Sequence, residues 1–106
     1  MLVHNGTEIY LQAMRYRNND TVALLAYTVE DDEDYADITV NLEQSAFADQ
    51  QDYQFVDANN LPGIDKWLEE NGLAEPTGIT GSSGFCTYPL MKFNRKRLEE
   101  AIGGTI

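Results

Sequence analysis

The stretch Thr21-Val22-Ala23-Leu24-Leu25-Ala26-Tyr27-Thr28-Val29-Glu30 decides the fold. It is a nearly continuous apolar run with two valines, a tyrosine and two threonines, side chains that fit a pleated surface. Helix is the competing reading. The run is short and has turn signals at both ends, Asn18-Asn19-Asp20 before it and Asp31-Asp32-Glu33-Asp34 after it, which favours strand. So few polar positions make it the expected central strand of a sheet, covered on much of both faces.

Towards the N-terminus, Met1 to Val3 and Thr7 to Arg17 flank His4-Asn5-Gly6, and Asn-Gly between extended segments signals a β-hairpin. In its second strand Ile9 and Leu11 point one way and Tyr10, Gln12, Met14 and Tyr16 the other. Beyond the acidic turn, Tyr35 to Leu42 alternates. Ala36, Ile38, Val40 and Leu42 share one face, and Tyr35, Asp37, Thr39 and Asn41 the other, as in a half-buried antiparallel strand. Glu43 to Asp52 is polar and reads as loop with one helical turn at most, and Tyr53 to Asp57 as a short strand. Asn59-Asn60-Leu61-Pro62 introduces a helix with the proline in its first turn. Ile64, Trp67 and Leu68 form its apolar stripe, Gly72 its left-handed stop, and Leu73 packs back on it.

Glu75 to Gly84 holds three glycines, a proline and two serines and reads as a loop. It lacks the lysine followed by serine or threonine of a phosphate-binding loop. Phe85 to Phe93 reads as a strand in which Pro89 marks an edge position or an irregularity. Asn94 caps a helix running through Ile102, and Gly103-Gly104 ends it. The expected architecture is α+β, one domain over 1–106. It has a mainly antiparallel sheet of four to six strands, the Trp67 helix across one face and the C-terminal helix at an end.

The 106 residues carry 7 Lys plus Arg against 18 Asp plus Glu, a net charge of −11. Residues 1–80 hold 3 basic and 16 acidic side chains, net −13, and residues 81–106 hold 4 basic and 2 acidic, net +2. Such a surface repels phosphate backbones, so direct binding to DNA or RNA is not expected. The bland alternative is that the acid keeps the chain soluble. Arg95, Lys96 and Arg97, the only basic cluster, oppose the dipole of the helix they begin. They either pair with the chain's own acid or a partner, or are solvated. No apolar run approaches the roughly 18 to 20 residues that span a bilayer, and the N-terminus lacks signal-peptide regions, so the cytoplasm is the expected address. The single cysteine, Cys86, excludes an internal disulfide and is expected as a buried, inert thiol.

Catalytic parts are few. One histidine, His4, at the hairpin turn, makes no triad with Cys86 or a serine, and a zinc site would lack ligands. The run Glu30 to Asp34 has neither the spacing, the glycine nor the flanking helices of a calcium loop. No catalytic residue, metal or cofactor is implied.

The blocks Asn59-Asn60-Leu61-Pro62, Glu69-Glu70-Asn71-Gly72-Leu73, Pro76-Thr77-Gly78 and Ser83-Gly84-Phe85-Cys86-Thr87-Tyr88-Pro89-Leu90 follow one another in that order. Together they resemble a small uncharacterised domain family encoded on conjugative elements and plasmids of Gram-positive bacteria. The opening hairpin and Val40-Asn41-Leu42 are also similar, so the resemblance covers most of the chain, densely in its second half. Members of that family often carry an aromatic residue after the Leu-Pro pair and a basic one after Pro-Thr-Gly, where this chain has Gly63 and Ile79. A weaker resemblance is to small anti-CRISPR inhibitors, which block RNA-guided nucleases. It implies a protein partner that handles nucleic acid.

Charge and resemblance together lead to one expected mechanism. Carboxylates of Glu30, Asp31, Asp32, Glu33, Asp34 and Asp37, with Asp49, Asp52 and Asp57, imitate phosphates and occupy a basic nucleic-acid channel on a protein partner, an enzyme such as a nuclease. The rival is an interaction module of the element's transfer or maintenance machinery. It would use a free sheet edge near Pro89, or an aromatic patch of Tyr10, Tyr16, Tyr27 and Tyr35 unless these pack beneath a helix.

Overall fold

A computed structural model describes residues 2–17, 21–42 and 52–105. The deciding run folds as β3 (Val22–Thr28), an interior strand of a four-stranded antiparallel sheet. β1 (Leu2–His4), β2 (Thr7–Arg15), β3 and β4 (Asp34–Asp37) are neighbours in that order. Val22, Leu24 and Ala26 are buried on one face and Ala23 on the other, while Leu25 and Tyr27 are half-buried. The opening hairpin turns on Asn5 (φ 49°) and Gly6 (φ 81°), two consecutive left-handed residues of a type I′ turn, whose twist matches that of the strands. The expected turn at Asn18-Asn19-Asp20 and most of the expected loop from Glu43 to Asp52 lie outside the described residues.

The alternating segment Tyr35 to Leu42 is not one strand. β4 pairs with β3, whereas β5 (Thr39–Val40) pairs with β6 (Tyr53–Val56) in a second antiparallel sheet of order β5-β6-β8-β7. Ile38 is the joint. Its N–H donates to the Leu24 carbonyl at 2.9 Å, and its carbonyl accepts the Asp57 N–H at 2.9 Å, so one residue is bonded to both sheets. The Thr39 hydroxyl oxygen then accepts the buried Leu24 N–H at 3.0 Å, which puts Thr39, expected on a wet face, inside the protein. The α+β, antiparallel class is as expected. Among the described residues there are eight strands in two sheets of four, where one sheet of four to six was expected.

Glu75 to Ser83 is strand, not loop, and Gly84 begins the turn that follows. β7 (Ala74–Ser83) pairs with β8 (Cys86–Phe93), and the register breaks between Pro76 and Thr80. Proline and the left-handed Gly78 (φ 80°) form a bulge there, which is why the composition reads as loop. The Thr77 hydroxyl fills the gap by donating to the Leu90 carbonyl at 2.8 Å and accepting the Ile79 N–H at 3.1 Å. At Gly81 a Cβ would stand 2.6 Å from the Phe55 ring, so only glycine lets the hairpin lie this close. β8 lies between β6 and β7, but β6 pairs only with Leu90, Met91 and Lys92, so Pro89 stands where β7 is the one strand neighbour, the expected edge position. Pairing with β6 ends at Phe55↔Leu90, one residue before the proline's missing N–H is met.

Helix α1 (Ile64–Glu70) does not take Pro62 into its first turn as expected; left-handed Gly63 (φ 81°) is its cap and Pro62 stands ahead of it. The Asp57 carboxylate accepts the Asn60 N–H at 3.2 Å, which forms a turn just ahead of the proline. The far end closes as sequence reading has it. Leu73 N–H bonds the Leu68 carbonyl at 2.9 Å and Gly72 N–H the Glu69 carbonyl at 3.0 Å, a Schellman motif that seats Leu73 in the core. Helix α2 (Arg95–Ile102) is capped by the Asn94 side chain, which accepts the Arg97 N–H at 3.1 Å. Ile9, Leu11, Leu24 and Ile38 meet Val56, Met91, Phe93, Ile64, Leu68 and Leu98 in a core shared by both sheets and both helices.

Candidate protein-binding face

The turn joining β3 to β4 is built on Thr28. Its N–H donates to the Glu33 carbonyl at 2.8 Å, its carbonyl accepts the Asp32 N–H at 3.0 Å, and its hydroxyl oxygen accepts the Glu33 N–H at 3.1 Å. With Asp32 left-handed (φ 55°), this holds Glu30, Asp31, Asp32 and Glu33 exposed on an ordered turn. Asp34 and Asp37 follow, exposed on β4, the outer strand. Six carboxylates therefore share one turn and one sheet edge. The ion pairs among the described residues join Arg95 to Asp52 and Arg97 to Glu100, and neither reaches this turn.

The turn rims the outer face of the first sheet. Cross-strand register aligns Tyr10 with Tyr27 and Asp34, and Gln12 with Leu25 and Asp37, while Met14 stands opposite Ala23. The Tyr10 and Tyr27 rings stack with centroids 5.4 Å apart. The Tyr10 hydroxyl donates to the Asp32 carboxylate, tying the acidic turn to the aromatic pair. That bond, then partial burial and the negative charge beside it, holds the Tyr10 phenol above its ordinary pKa. Both helices contribute to the core on the opposite, inner face, so they leave this surface to solvent. Met14 at one end of β2 is 50% exposed, and Val3 and Val29, beside Glu8 at its other end, are 46% exposed.

Three carboxylates of the expected set do not join this group. Asp52 directly precedes β6 and is bonded through one oxygen to both Nε and Nη2 of Arg95, at 3.0 and 2.9 Å. Asp57, past the other end of β6, is occupied by Asn60, whose amide it also accepts at 2.8 Å. Asp49 lies outside the described residues. The four tyrosines also separate. Tyr35 packs against the core, with its hydroxyl 2.7 Å from His4 Nδ1. The Tyr16 hydroxyl lies 3.0 Å from Thr39 Oγ1, and burial holds its pKa above the ordinary value. Only Tyr10 and Tyr27 form a surface pair. Leu25, Gln12 and Met14 complete the face. Period-two alternation puts Gln12 and Met14 beside Tyr10, but only the register adds Leu25 and Asp37.

The remaining reactive side chains are placed for structure. His4 is buried, edge-on to the rings of both Tyr35 and Trp67, and the Trp67 indole donates to the Val3 carbonyl at 2.7 Å. Cys86, expected buried, is half-exposed, because the first half of β8 extends beyond β6 and has β7 as its one strand neighbour. Among the described residues no three of His, Cys, Asp and Glu converge as a metal-holding group.

The model of a domain family of unknown function, DUF4313, matches residues 10–103. The chain belongs to that family. No curated protein and no solved structure shows significant similarity to it. The DUF4313 match runs from Tyr10 in β2 to the Gly103 stop of α2, so the tyrosine pair, the acidic turn and β4 all lie within it, and β1 lies outside. No helix among the described residues of this DUF4313 chain is long and apolar enough to cross a membrane.

Proposed function

We propose that this DUF4313 domain is a non-enzymatic acidic binding protein of a mobile genetic element. It acts in the cytoplasm on a nucleic-acid-handling defence enzyme, as an inhibitor of the anti-CRISPR or anti-restriction type. The observation that supports this is the ordered set Glu30, Asp31, Asp32, Glu33, Asp34 and Asp37 on one turn and edge, beside a half-exposed aromatic face. A preorganised row of carboxylates offers a basic channel what a phosphate backbone offers it, and loses little entropy on docking. The stacked tyrosines supply the apolar contact that charge lacks.

The test is a pull-down from a Gram-positive lysate with the wild-type chain and with the triple variant Asp31→Lys, Glu33→Lys, Asp34→Lys, at low and at high salt. The Debye length falls from about 10 Å at 0.1 M salt to about 3 Å at 1 M, so a charge-led complex releases its enzyme at high salt. The variant is expected to retain none. Equal retention by variant and wild type would sink the phosphate-mimic reading. The apolar content of the outer face favours a second reading, an interaction module of conjugative transfer or maintenance machinery. That reading predicts capture of transfer proteins that salt does not release.

A further inference from the structure

Three of the four outer strands in the two sheets are guarded against pairing with another chain. β1 has three residues and its Val3 carbonyl already accepts the Trp67 indole, β4 carries Asp34 and Asp37, and β5 has two residues. β7 is guarded only in its first half, by Pro76 and the bulge at Gly78. Thr80, Gly81, Ser82 and Ser83 form regular strand with neither charge nor proline, and all but Gly81 are exposed.

This stretch lies inside a longer neutral one. From Pro76 to Met91 there is no Asp, Glu, Lys, Arg or His, in a chain of net charge −11. Two copies that met through most other surfaces would bring like charges together, and through this hairpin they would not. The hairpin is also held in shape. Its Ser83↔Cys86 pair closes a two-residue turn with Gly84 (φ 62°) first, as in type II′. Gly81 seats on Phe55 and Leu42, and the Asn59 amide donates to the Thr87 carbonyl at 3.0 Å.

Backbone direction and side-chain placement agree on a partner. Ser83 and Gly81 face β8 with their N–H and C=O groups, so by strand alternation Thr80 and Ser82 aim theirs outward. Two large apolar side chains stand exposed on the hairpin, Ile79 at 42% and Phe85 at 110%, one three residues before Ser82 and the other three after it. The fold makes no use of Phe85, and a II′ turn does not call for an aromatic there. We propose that β7 is a self-association edge, on which two copies of this chain pair antiparallel about a two-fold axis through Ser82. The axis sets Ser82 opposite Ser82, joins the outward backbone groups, and brings each Phe85 against the Ile79 of the other copy. The contact is isologous and closes as a dimer. It is small, so the dimer is weak and depends on concentration.

Sedimentation equilibrium over a wide concentration range, at low and high salt, tests this. The expected result is a monomer–dimer equilibrium that strengthens with salt, because salt screens the repulsion of two acidic bodies. Salt weakens the partner binding proposed above, so the two readings fail independently. Ser82→Lys places two like charges face to face on the axis, and Phe85→Ser removes the apolar contact. Each raises the dimer dissociation constant by roughly tenfold or more. Both side chains are exposed, so the monomer's circular dichroism and melting stay unchanged, and Thr80→Glu, on the same outward row, repeats the effect. A monomer at every concentration, or a dimer indifferent to all three variants, overturns the proposal.

Discussion

Tyr10 links the two halves of the candidate face. Its ring stacks on Tyr27 and its hydroxyl donates to Asp32, so the acidic turn is positioned by an aromatic residue on the neighbouring strand β2. Loss of the phenolic proton breaks that bond and sets two anions side by side, which raises the folded pKa of Tyr10. A folded pKa above the unfolded one means that this contribution to stability is fully present below the unfolded phenol pKa. It is lost as pH rises through the folded value. An ultraviolet titration of the tyrosines should therefore show Tyr10 ionising late in the wild type and closer to the ordinary phenol range in Asp32→Asn. An unchanged Tyr10 titration in that variant would mean that the hydroxyl and the carboxylate are not partners in solution. Sequence showed Tyr10 on the solvent side of β2 by its alternation with Ile9 and Leu11. It could not show Asp32 as its partner, because the left-handed turn at Asp32 that returns the carboxylate over β2 is set by three hydrogen bonds to Thr28.

At the scale of elements, sequence was most legible where local chemistry decides. Asn5-Gly6 gave the hairpin, Gly72 and Leu73 the end of α1, and Asn94 the start of α2, each through a bond made within a few residues. It was least legible where a distant strand decides. Tyr35 to Leu42 keeps one alternation through Ile38, yet the chain changes sheets there, since alternation records which face a side chain takes and not which sheet it joins. Likewise Pro76, Gly78 and Gly81 hide β7 from any reading of propensity, and pairing with β8 overrides them. The joint between the sheets can be tested at Thr39, whose hydroxyl oxygen is the acceptor for the buried Leu24 N–H. Thr39→Val keeps the shape and leaves that N–H without its acceptor, which costs about 1–3 kcal/mol. Urea unfolding should show a lower midpoint with an unchanged slope. A midpoint equal to wild type would mean that the hydroxyl does not hold the joint.

For the whole molecule, charge and architecture divide the surface. The first sheet presents its acid on the β3–β4 turn and on β4, beside a half-exposed aromatic face. The second sheet extends a neutral hairpin with Phe85 at its tip. Net charge predicted an acidic surface but not this division. Asp52 and Asp57 count equally in the sum, yet one is paired with Arg95 and the other engaged by Asn60. Glu8, Glu69, Glu70 and Glu75 are exposed elsewhere, and among the described residues the densest exposed run of acid is Glu30 to Asp37. That concentration is the basis for reading the chain as a stand-in for a nucleic-acid backbone. Competition measures this most directly: an enzyme captured from lysate by the wild-type chain is challenged, at constant salt, with increasing duplex DNA or RNA. If carboxylates of the turn and β4 occupy a nucleic-acid channel, nucleic acid releases the enzyme from the wild-type chain in proportion to its concentration. An enzyme that stays bound under saturating nucleic acid would contradict the account.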